Sequence, residues 1–142
     1  MTPDQRALVK KTWTAVLPIA DLAASLFYER LFEIDPGTKK LFLHTDISEQ
    51  KRKLVQALTC VVESLDQPER LISAMEDLGR RHARYGVVDT QYDSVGSALL
   101  WTLEQSLRTD WTPAARKAWS SAYQLVSQVM RNAVNAGSLP TL

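Results

Sequence analysis

Cysteine is nearly absent from this sequence, and the one thiol, Cys60, excludes both an intrachain disulfide and a metal cage built from cysteines. Histidine is scarce too. His44 and His82 stand apart, without a CxxC or HExxH pattern that would complete a zinc site from protein ligands alone. Neither sign of charge is in surplus: 17 Lys and Arg face 16 Asp and Glu, so the basic field that a nucleic-acid partner requires is missing. No run of about 18 apolar residues occurs, so no helix is expected to cross a membrane. The opening MTPDQRALVKK lacks the apolar stretch of a secretory signal, and a cytoplasmic protein is the expectation. Five glycines and six prolines form no low-complexity tract or linker, and no internal repeat is found. What remains is an ordinary globular composition, 45% hydrophobic over 142 residues. It is read as one domain, 1–142, with residues 137–142 as a fraying tail. A chain of this size buries roughly 70% of its unfolded surface, enough core to enclose a ligand.

The breakers at Pro18, Pro36-Gly37, Pro68, Gly86 and Pro113 separate segments whose apolar residues recur at helical spacing, so the fold is read as all-α. Thr2-Pro3-Asp4-Gln5 carries a capping threonine, a proline at the first helical position and a glutamine three residues after the cap. A second helix is expected from Pro18 to Asp35, with Asp21, Ser25, Glu29 and Glu33 as one polar stripe. Pro36 starts a short turn that leads to Leu41-Phe42. Asp46-Ile47-Ser48-Glu49 reads as a capping box for a helix through Leu65. Pro68 opens the next helix, which closes at Gly86. Further starts are expected at Asp89 or Thr90 and, after a second Thr-Pro pair, at Pro113.

Three polar residues interrupt apolar faces. Leu71, Met75, Leu78, His82 and Tyr85 follow steps of four and three, so His82 is placed on an inward row. Alone, such a histidine reads either as a core residue bonded to a carbonyl or as a ligand. Gln50 lies one turn before Leu54 on the row Leu54, Ala57, Leu58, Val61 and Leu65; its amide is near the surface, bonded to protein, or aimed at a ligand. Tyr28, off the polar stripe, carries its hydroxyl inward toward a carbonyl or a ligand. Three polar groups on three apolar helices suggest one apolar pocket with convergent polar atoms. A metal at His82 would have to bring its remaining ligands, as haem does with four porphyrin nitrogens.

The stretches "FYERLFEIDPGTKKLF" (27–42), "EQKRKL" (49–54), "LGRRHARYGVV" (78–88) and "QYDSVGSALL" (91–100) resemble the globins, in particular bacterial single-domain haemoglobins and the globin domains of flavohaemoglobins. The resemblance runs from about Asp4 to Val134. It implies a globin fold of six to seven helices around a haem b, with a short connection in place of the small helix some globins have between Phe42 and Gln50. It further implies that His82 is the proximal iron ligand and that Tyr28 and Gln50 form the distal pair. Phe42, Leu54, Leu78, Val87, Tyr92 and Val95 would line the cofactor, and Lys53, His44 and Arg81 are candidates for its propionates.

The function this implies is oxygen binding of high affinity, for storage, delivery or scavenging, with carbon monoxide and nitric oxide as further gaseous ligands. Detoxification of nitric oxide by dioxygenation, using a separate reductase, is the alternative, and a haem-based gas sensor is a third reading for which few residues follow the last helix to serve as output. Tyr92 matches the proximal tyrosine of the flavohaemoglobins, but Val134 stands where they carry a glutamate. Without that carboxylate His82 is expected to bond a backbone carbonyl. A monomer or weak homodimer is expected.

Overall fold

The computed structural model describes residues 1–138, and of the expected fraying tail residues 139–142 lie outside the described ones. The described residues form six α-helices and three short 3-10 segments, with no strand among them. The helices are α1 (Pro3–Val16), α2 (Ala20–Ile34), α3 (Ile47–Ser64), α4 (Pro68–Arg84), α5 (Asp89–Leu107) and α6 (Pro113–Ser138).

Local chemistry sets most boundaries where the sequence placed them. At α1 the Gln5 amide donates to the Thr2 hydroxyl oxygen at 3.1 Å, and the Thr2 amide donates to Gln5 Oε1 at 3.0 Å, so the capping box is complete. Thr112 caps α6 by accepting from the Ala115 amide at 3.1 Å. α4 stops before Gly86, whose φ of 91° lies in the left-handed region that a side chain disfavours.

Three local expectations change. α2 begins at Ala20, because Leu17–Ile19 forms a separate 3-10 turn around Pro18. Asp46 caps α3 by accepting from the Ser48 and Glu49 amides, but the box does not close, since the Glu49 carboxylate binds Arg52 instead. Tyr85 is not on the inward row. It follows the last residue of α4 and is 68% exposed, the helix having ended before it could turn the ring toward the core.

One core cluster joins all six helices, including Val9, Trp13, Phe27, Tyr28, Leu31, Val61, Met75, Tyr92, Leu103, Trp119 and Met130. Trp13 and Trp119 lie 6.1 Å apart in this core. Their indole N–H groups donate to the Thr59 and Thr12 hydroxyls, so neither tryptophan buries an unpaired donor. Pro36–Phe42 is a 3-10 segment that Asp35 fastens to α5, its carboxylate accepting from the Ser94 hydroxyl at 2.8 Å.

Candidate functional site

Two groups of residues singled out by the sequence are each assembled by the fold. The first lies on α2, α3 and the Pro36–Phe42 segment. Gln50, in the first turn of α3, donates from Nε2 to the Tyr28 hydroxyl oxygen at 3.1 Å. The Tyr28 ring is buried, 4% exposed, and sits edge-on to Phe27 at 5.0 Å and to Phe42 at 5.5 Å, with Phe32 at 6.0 Å. Burial raises the Tyr28 pKa above the usual phenol value, against a smaller opposing effect of the Gln50 bond, so the phenol keeps its proton. Because the hydroxyl oxygen accepts from Gln50, its own proton stays free to donate.

The second group lies on α4 and α5. The His82 ring is half-buried, and its Nδ1 lies 3.0 Å from the Leu78 carbonyl oxygen, which is the backbone acceptor expected in the absence of a carboxylate. A carbonyl only accepts, so Nδ1 carries the proton and Nε2 presents its lone pair. Burial lowers the His82 pKa, the Leu78 bond opposes this, and Arg81 lowers it further, so the neutral ring is favoured. Val87 and the buried Tyr92 border a cavity of about 220 Å³ together with Ala83, Asp89, Arg131 and Val134.

Phe42, Leu54, Leu78, Val87 and Val95 all pack against the central core yet remain only partly buried. The protein thus leaves these apolar side chains partly uncovered at the core margin, and presents a neutral imidazole on α4. Among the described residues no group of three or more His, Cys, Asp or Glu side chains could hold a metal. These residues suit a large apolar group that carries a metal and most of its ligands, which fits haem.

The three propionate candidates all lie at the surface. His44 and Lys53 are exposed, and Arg81 pairs with Asp77 at 3.4 Å one turn earlier on α4. Residues the sequence did not single out lie behind the second group. Arg131 of α6 stacks 4.9 Å from the Tyr92 ring centroid and pairs with Asp89 and Asp93, while the Tyr123 hydroxyl donates to the Tyr92 carbonyl at 2.5 Å. Asp89 and Asp93 one turn apart are a legible pair of carboxylates, but nothing in the sequence names their partner 38 residues beyond Asp93.

The Globin family pattern matches residues 25–130. The chain is 33% identical over 138 residues to the Anaerobic nitrite reductase HBII of Casuarina glauca, covering 86% of this chain and 85% of that protein. It is 27% identical over 132 residues to the Flavohemoprotein of Rhizobium meliloti (strain 1021), covering 92% of this chain and spanning 33% of that protein's length. No helix among the described residues is long and apolar enough to cross a membrane.

Proposed function

The chain belongs to the globin family, and from that premise we propose that it binds oxygen tightly at a haem b held by His82 and overseen by Tyr28 and Gln50. Haem held by His82 would supply an iron able to bind a diatomic gas. The observation that carries the reading is the Gln50 bond to Tyr28, which leaves the phenol proton free to donate from a buried apolar setting.

His82 contributes the Nε2 lone pair. The Leu78 carbonyl fixes the tautomer and orients the ring, and burial keeps it unprotonated near pH 7. On the other side, the Gln50 amide reinforces the Tyr28 hydroxyl as a donor, since hydrogen bonds in sequence polarise one another in a low-dielectric interior. The aromatic rings of Phe27, Phe32 and Phe42 keep water from competing for that proton. A donor favours the ligand that takes on more negative charge, so the pair selects oxygen over carbon monoxide.

Each such bond contributes about 1–1.5 kcal/mol, and 1.4 kcal/mol is a factor of about ten. Tyr28→Phe is therefore expected to speed oxygen dissociation by about tenfold or more. Gln50→Leu should act in the same direction, and the double variant should fall short of the product because Gln50 works partly through Tyr28. Stopped-flow rates equal to wild type in both single variants would remove the assignment.

Redox chemistry on nitric oxide, or on the nitrite named for the Casuarina glauca relative, is the second reading, and it would need electrons from a separate reductase. The Leu78 carbonyl argues against it, because a neutral acceptor makes His82 a weaker electron donor than a carboxylate would. Mixing the oxygenated protein with nitric oxide and a ferredoxin or flavin reductase is expected to give one stoichiometric burst of nitrate; sustained turnover would establish the enzyme instead.

A further inference from the structure

We propose that a single turn of α6, at Met130 and Arg131, is the joint that positions both walls around His82, and that Arg131 is a positioning residue for the haem-binding histidine. This rests on the reading that His82 holds haem. The first half of the joint is backbone on backbone. A Cβ added at Gly79 would lie 2.5 Å from the Met130 carbonyl oxygen and 2.7 Å from its Cα, so α4 is seated directly on α6 three residues before His82.

The next residue of α6 seats α5. Arg131 donates from Nη2 to Asp93 Oδ1 at 3.2 Å and to the Asp89 carbonyl at 3.4 Å, and its Nε lies 3.4 Å from Asp89 Oδ1. The guanidinium simultaneously covers the Tyr92 ring face at 4.9 Å. It lies beneath the surface, its side chain 25% exposed, whereas the two aspartates that hold it are 81% and 82% exposed. Tyr92 is gripped a second time, through its carbonyl, by the Tyr123 hydroxyl. That approach depends on Gly96, where a Cβ would come within 2.7 Å of the Tyr123 ring.

The cavity of about 220 Å³ opens between Ala83 on α4, Val87 and Tyr92, and Arg131 and Val134 on α6. Ala83 and Val134 are too short to bridge it. The spacing between the turn that carries His82 and the wall formed by Tyr92 is therefore set at Met130 and Arg131 rather than by packing across the gap. Without the guanidinium over its ring, Tyr92 has space to swing into the cavity, and the wall that faces Ala83, next to His82 on α4, moves with it.

The test uses Arg131→Met in the full chain. In the haem-loaded protein the iron–histidine stretching frequency should shift, and haem should pass to an acceptor protein about tenfold faster, the low end of what residues behind a metal ligand contribute. In the haem-free protein, amide hydrogen exchange should speed over residues 89–96 and stay unchanged in α1. Arg131→Lys, which keeps the charge but not the stacked plane, should recover part of both effects. Asp93→Asn and Tyr123→Phe should show smaller shifts in the same direction, and they decide the matter if Arg131→Met does not fold. A wild-type stretching frequency in these variants, with or without faster exchange, overturns the positioning role. Failure of the haem reading would show separately, as a wild-type chain that takes up no haem.

Discussion

His82→Ala is expected to lose stable haem retention while the haem-free fold survives. The two consequences separate because the imidazole does little for the fold itself. Within α4 the Leu78 carbonyl already accepts the helical bond from the residue four positions later, so removing the ring strands no buried acceptor. The ring is only half-buried, and its loss is expected to cost about 1 kcal/mol of stability. By contrast, no other histidine is placed to substitute, since His44 is exposed in the connection before α3. The variant should therefore show a wild-type far-ultraviolet circular dichroism spectrum and no stable Soret band after reconstitution. Added imidazole should restore part of that band by filling the space the ring vacated. A variant that binds haem as firmly as wild type would show that His82 is a structural residue and that the ligand lies elsewhere.

Much of this arrangement is visible in the sequence because short-range rules govern it. The spacing of Leu71, Met75 and Leu78 puts His82 on the row where the structure has it half-buried, since a helix repeats its faces whatever lies opposite. The same rule fails at Tyr85, because periodicity carries no information about where the helix stops; Gly86 ends it, and Tyr85 falls outside. Gln50 shows a different kind of limit. The sequence requires a partner for a partly buried amide but offers three possibilities, and only the packing of α2 against α3 selects the Tyr28 hydroxyl. Arg131 was not legible at all. A charged residue late in an amphipathic helix reads as solvent-facing, and its role appears only when the fold brings it beside Asp89, Asp93 and the face of Tyr92. Gly79 is equally silent, for a glycine inside a helix has no contacts of its own to predict.

That glycine carries the second large effect. In an exposed helix Gly→Ala stabilises by about 1 kcal/mol, because alanine restricts the unfolded chain and favours helix. At Gly79 the new methyl would meet the Met130 carbonyl oxygen at 2.5 Å and the Met130 Cα at 2.7 Å, and neither atom belongs to a side chain that can rotate away. The whole of α4 has to move relative to α6, and crowding of this kind costs about 1–3 kcal/mol or more in a packed core. Steric cost therefore outweighs propensity, and Gly79→Ala is expected to lower Tm by roughly 5 °C, at about 2–4 °C per kcal/mol for a chain of this size. Gly79→Val should be worse. Gly37→Ala is the control: its methyl would sit 3.4 Å from the Asp35 carboxylate at an exposed position, so Tm should hardly change. Because His82 follows Gly79 within one turn, the displaced helix should carry the imidazole with it. Gly79→Ala is accordingly expected to shift the iron–histidine stretching frequency even at temperatures where the protein is fully folded. A Gly79→Ala variant as stable as wild type, with an unshifted frequency, would show that α4 and α6 do not meet backbone to backbone at Met130.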